Sequence, residues 1–128
     1  MLNDNLSNAL SKILNAERVS KRKCLIRSSK VIKKVLDIMR ENNYIGSYEE
    51  KKDNTGTMLL VNLIGNINKC GAIKPRFPVG VEEFEKFEKR YLIAKGFGII
   101  IISTSKGIMT LEEAKKKKIG GKLLAYCY

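Results

Sequence analysis

Four consecutive isoleucines, Ile99 to Ile102, constrain this chain more than any other stretch. A strand that is apolar at every position has no face to give to water, so it must be buried on both sides, in the middle of a sheet. The apolar run begins at Phe97 and stops abruptly at Ser103-Thr104-Ser105-Lys106-Gly107. Thr110 and Glu113 then form the S/T-x-x-E pattern that opens a helix, here spanning Leu111 to Lys118 and ended by Gly120-Gly121. A buried strand thus delivers three hydroxyls, one mobile cation and an unhindered glycine backbone to one place. Short donors and acceptors beside a cation suit a sugar–phosphate backbone better than they suit bond-breaking chemistry.

Upstream, Leu6, Ala9, Leu10, Ile13 and Leu14 follow one helical face, with Asn3 or Asp4 as cap. A basic loop, Arg18 to Lys23, leads into a short buried strand, Cys24-Leu25-Ile26. Ser28 and Ser29 can cap a second helix, whose core stripe is Ile32, Val35, Leu36 and Met39 and which Asn42-Asn43 ends. Tyr44 to Lys52 and Thr57 to Ile64 read as a hairpin around the turn Asp53-Asn54-Thr55-Gly56. Gly65 to Gly71 breaks all periodicity with two glycines and two asparagines, which places a boundary there. Beyond it, Pro75-Arg76-Phe77-Pro78 is rigid and extended. Val81, Phe84, Phe87 and Tyr91 share one side of a short helix, and Leu123 to Tyr128 closes the chain as a strand. The expected class is α+β in two small lobes: residues 1–66 as α-β-α-β-β, and residues 67–128 as mainly β with a short helix.

The charge balance selects the partner. The chain has 128 residues, with 25 Lys and Arg against 13 Asp and Glu, a net charge of +12. A field of that sign attracts polyanions, nucleic acid first among them. Lys115 to Lys118 and Lys21-Arg22-Lys23 are either phosphate contacts or ordinary solvated charge, the former run also complementing a helix C-terminus. There is no histidine, so acid–base catalysis would need a tuned lysine or carboxylate, and the paired glutamates are ordinary surface or cap charges. The chain reads as no enzyme, with no cofactor and no metal site. Three scattered cysteines, Cys24, Cys70 and Cys127, form no C-x-x-C pair and point to a reducing compartment. No signal peptide and no membrane-spanning run is expected, and the protein is expected in the cytoplasm.

Two nucleotide-binding patterns fail on chemistry. Lys95-Gly96-Phe97-Gly98 starts like the signature strand of an RNA-recognition motif, but isoleucines stand where that motif needs aromatic rings for stacking. The same glycines precede a strand, whereas a dinucleotide-binding loop follows one.

Ser103-Thr104-Ser105-Lys106-Gly107-Ile108-Met109-Thr110, with Glu113-Ala114 and Gly120-Gly121 downstream, resembles the signature of the universal small-subunit ribosomal protein S-eight family. The resemblance covers essentially the whole chain. Ile64 to Ile73, Pro75-Arg76-Phe77, Phe87 to Leu92 and Ala94 to Gly98 look like its archaeal and eukaryotic branch, called S-fifteen-a in eukaryotes. It implies a structural constituent of the small ribosomal subunit that binds the central domain of small-subunit rRNA early in assembly. Neighbouring ribosomal proteins, of the S-five and S-seventeen families, are the implied protein partners. By position, Ser103, Thr104, Ser105 and Gly107 should carry the main RNA contact with Lys106 reaching phosphate, and Asn15, Ser29 and Lys30 a second contact, joined by Lys33 on the lysine face of that helix. Three positions depart from the family pattern: Asn5 stands where a proline is usual, Ile93 replaces another, and Lys122 stands where bacterial members carry glutamate. The alternative is a free-standing basic RNA-binding or assembly-chaperone protein acting off the ribosome.

Overall fold

The computed structural model describes residues 5–54, 56–73, 76, 78–92 and 98–128. The expected cap at Asn3 or Asp4, Thr55 of the first turn, most of the Pro75 to Phe77 segment and the start of the isoleucine strand at Phe97 lie outside the described residues. The chain is α+β and divides into two compact units, Met1–Lys69 and Cys70–Tyr128.

In the first unit, helix α1 (Asn5–Arg18) buries Leu6, Ala9, Leu10, Ile13 and Ala16, a stripe at helical spacing. Strand β1 (Lys23–Arg27) leads into helix α2 (Lys30–Glu41), which buries Ile32, Val35, Leu36, Ile38 and Met39. Ser29 is the N-cap of α2, its hydroxyl accepting from the Ile32 N–H at 3.1 Å. At the other end Asn42 is the C-cap and donates its amide to the Ile38 carbonyl, while Asn43 turns the chain at φ +63°. Strands β2 (Ile45–Asp53) and β3 (Gly56–Leu63) form an antiparallel hairpin, and β1 adds antiparallel to β3 for the order β1-β3-β2.

One expectation fails in this unit. Cys24 and Ile26 are buried, but Leu25 between them is 47% exposed. The helices cover one face of this sheet, so alternation along β1 sends Leu25 to the other face.

In the second unit the strands are β4 (Cys70–Ala72), β5 (Pro78–Val79), β6 (Ile99–Thr104), β7 (Gly107–Thr110) and β8 (Gly121–Cys127). A 3-10 turn at Val81–Glu83 runs into helix α3 (Phe84–Tyr91), and α4 (Leu111–Lys117) follows β7. The sheet order is β4-β8-β6-β7, antiparallel throughout, with β5 also pairing β8. β6 therefore has a strand on either side, as its isoleucines require. Ile100 and Ile102 join Phe84, Phe87, Met109, Leu111, Ala114 and Leu123 in the core of this unit. Ile101, pointing the other way, is just as deeply buried.

Short strands β4, β5 and β7 have no counterpart in the periodicity reading, because two to four residues cannot display a period. The double glycine also has a different role from the one expected. Helix α4 ends at Lys118, which takes the left-handed conformation (φ +55°) while the Ile119 N–H reaches back to the Ala114 carbonyl. Gly120 and Gly121 instead let backbones touch. A Cβ on Gly120 would stand 2.4 Å from the Val79 carbonyl oxygen, and one on Gly121 would stand 2.1 Å from that of Ser103.

Candidate nucleic-acid interface

The segment between the isoleucine strand and the helix opened by Thr110 is a tight hairpin. β6 continues through Thr104 and pairs with β7 in the register Ser103–Ile108 and Thr104–Gly107, which leaves Ser105 and Lys106 as the turn. Both turn residues keep negative φ, and Gly107 takes the left-handed position at φ +116°. A Cβ there would touch nothing within 4 Å, so the demand for glycine is conformational. The Thr104 hydroxyl donates to the Gly107 carbonyl at 2.8 Å and accepts from the Lys106 N–H at 3.2 Å.

These contacts separate the three hydroxyls. Thr104 is committed to holding the turn and Ser103 is half-buried within the ladder, while Ser105, Lys106 and Gly107 are exposed at the tip. Two flanking devices fix the direction of the tip. Buried Thr110 caps α4 by accepting from the Glu113 N–H at 3.3 Å, one arm of the expected capping box. The close approach of Gly121 to Ser103 holds β8 flat against the end of β6.

A concavity opens beside the hairpin, walled by Ser103, Thr104 and Ser105 from β6 and its turn, by Gly120, and by Gly121 and Lys122 from β8. Lys122 is exposed and lies directly across the ladder from Ser103 on one side and from Pro78 on the other. Lys122 stood out in the sequence only as a departure from the family pattern, with no role assigned to it. Its signal was the strand register, which requires knowing that β8 pairs with both β5 and β6. One acid, Glu83, shares the rim, with its carboxylate accepting from the Gly80 N–H at 3.4 Å.

In the first unit a second concavity lies at the N-terminal end of α2. Ser29, Lys30 and Lys33 line it together with Arg27, Ser28 and Thr57. The first turn of α2 contains no acidic residue, so the positive end of the helix is left uncompensated beside two further cations. The Ser28 N–H is taken up by the Thr57 carbonyl, which ties the cap to β3. Lys33 is ion-paired with Glu50 of β2, so its charge is partly neutralised; Arg27 is exposed and was missed. Asn15, exposed on α1, is not among the residues lining this concavity.

The remaining cations divide in the same way. Lys115 is held by Glu88 at 2.5 Å, whereas Lys116, Lys117 and Lys118 are exposed. Away from these surfaces, two phenols and a thiol have their ionisation shifted. Burial, then the hydrogen bond it donates to Asp37 at 2.7 Å, pushes the Tyr48 phenol up. Burial likewise raises the Tyr126 phenol, and it raises the Cys24 thiol against the opposing pull of Lys12 and Lys21.

What the two units offer, then, is hydroxyls, exposed cations and open backbone on rigid strand and helix ends. That is the equipment of an RNA-binding structural protein. The chain matches the family model described as Ribosomal protein S8 over residues 4–128 and belongs to that family. It is accordingly a small-subunit ribosomal protein that binds rRNA, and the family is a structural one, not a family of enzymes. Among the described residues no helix is long and apolar enough to cross a membrane.

Proposed function

We propose that the chain binds the central domain of small-subunit rRNA directly, early in assembly, with the β6–β7 hairpin tip as its main contact. The observation that carries this reading is the division of labour in the hairpin: Thr104 holds the turn so that Ser105, Lys106 and Gly107 face outward. Side chains cannot enter the deep major groove of A-form RNA, so recognition falls on minor-groove 2′-hydroxyls and on distorted or unpaired bases. Ser105 is short enough to approach those groups closely. Lys106 and Lys122 supply phosphate contacts, which add affinity without sequence information.

Ser29, Lys30 and Arg27 form the second contact, at the positive end of α2, and Lys33 assists within the limit set by Glu50. Asn15 stands as a separate polar contact on α1. The S-five and S-seventeen families are the proposed protein neighbours, and the cytoplasmic small subunit is the proposed location.

Ser105→Ala tests the reading. It should weaken binding to the cognate rRNA helix by roughly tenfold, the scale of one lost hydrogen bond to a polar partner, and should leave binding to a random duplex unchanged. Filter-binding titrations of the two RNAs decide the matter, and equal losses would overturn it.

A further inference from the structure

The three-stranded sheet of the first unit is covered by helices on one face alone. Cys24, Ile26, Leu59 and Val61 are buried on that face, and Tyr48 and Glu50 reach α2 from it through Asp37 and Lys33. Strand alternation turns Leu25, Met58 and Leu60 the other way, with Leu25 opposite Leu60 and Arg27 opposite Met58 across the ladder. Ile64 extends the same row past Asn62, both lying 3.4 Å from where a Cβ on Gly46 would stand. Leu25 is 47% exposed and Ile64 48%, two of the three large hydrophobic residues so exposed among the described residues.

A row of aliphatic side chains on an open sheet face, interrupted at Asn62 alone, marks a surface built to be covered. RNA is a poor cover for it. Bases stack on aromatic or guanidinium planes and phosphates need donors, and leucine, methionine and isoleucine provide neither. A protein interface fits better, with its apolar centre and charged rim. Here the rim is mainly basic: Lys23 and Arg27 on β1 and Lys51 on β2, against Glu49.

We propose that this face docks a neighbouring protein of the small subunit, one that presents an apolar patch ringed by carboxylates. The inference rests on the ribosomal reading above and adds to it a surface and the chemistry of the partner. It uses none of the residues assigned to the hairpin tip, and shares Arg27 and Met58 with the concavity at the end of α2.

A photoreactive benzoylphenylalanine at position 25 of the full chain, assembled into small subunits and irradiated, tests it directly. The expected product is a cross-link to a protein, at a peptide where apolar residues adjoin Asp or Glu. A cross-link to rRNA, or none, overturns the proposal.

Leu25→Glu gives an independent measure, because an exposed strand position tolerates the change and thermal melting verifies the fold. Incorporation into subunits should fall roughly tenfold, as for loss of one strong interface anchor, while affinity for an isolated rRNA helix stays as it was. Loss of that rRNA affinity in Leu25→Glu would overturn the docking inference. An unchanged rRNA affinity in Ser105→Ala would overturn the hairpin reading instead.

Discussion

Gly107 and Gly121 both serve the hairpin, for opposite reasons. Gly107 has open space where a side chain would be but a backbone at φ +116°, so Gly107→Ala should cost about 1–2 kcal/mol through conformational strain. Gly121 has no left-handed angle but meets the Ser103 carbonyl oxygen, so Gly121→Ala must push β8 away from β6 and should cost about 3 kcal/mol or more. Denaturant midpoints of the two variants should therefore differ clearly, with Gly121→Ala the lower. The hydroxyls sort on the same principle. Thr104→Val removes two hydrogen bonds at a half-exposed turn and should lower stability by roughly 1 kcal/mol together with rRNA affinity. Ser105→Ala should lower affinity alone. Comparing the two variants by unfolding and by filter binding separates the residue that holds the turn from the residue that touches.

At the level of elements, the caps of the helices are tied to what those helices face. Ser29→Ala removes the hydroxyl that accepts from Ile32 and should destabilise the first unit by about 1 kcal/mol. Ser29→Asp keeps an acceptor at the N-cap and should preserve stability, yet its carboxylate occupies the end of α2 where Arg27 and Lys30 gather. If RNA docks there, Ser29→Asp should bind rRNA worse than Ser29→Ala despite melting higher. Such elements were legible from sequence wherever a long period or a cap announces itself: both helices of the first unit, its hairpin, the interior place of the isoleucine strand and the helix begun by Thr110. Strands β4, β5 and β7 were not, because their few residues gain strand geometry only from neighbours far along the chain. The same limit hid the role of Lys122, whose place beside Ser103 is a fact of register, and hid Arg27, whose place beside Lys30 depends on how β1 enters α2. Leu25 was misjudged because a three-residue apolar run does not say whether its sheet is covered on one side or two.

Across the whole molecule, the charge pattern makes both pH and salt informative. No histidine is present, so the chain lacks the one side chain whose ordinary ionisation falls between pH 6 and 8, and stability should be nearly flat there. Cys24, Tyr48 and Tyr126 all have their ionisation raised in the folded chain, burial being the first cause in each. The unfolded chain therefore releases those protons first as pH rises, so the stability they contribute is complete below pH 9 and is lost progressively above it. Melting temperatures between pH 6 and 11 check the shape. Salt tests the cations one at a time. The net charge of +12 draws the chain to any polyanion, but only lysines that displace counterions set the slope of affinity against ionic strength. Lys122 is exposed at the hairpin concavity and Lys106 at the hairpin turn, so Lys106→Gln and Lys122→Gln should each reduce the slope of log K against log salt by about one. Lys115 is already held by Glu88, so Lys115→Gln should leave the slope unchanged while lowering stability. Titrations at four salt concentrations with the cognate rRNA helix measure all three, and a slope that fell for Lys115 but not for Lys122 would move the phosphate contact from the hairpin to helix α4.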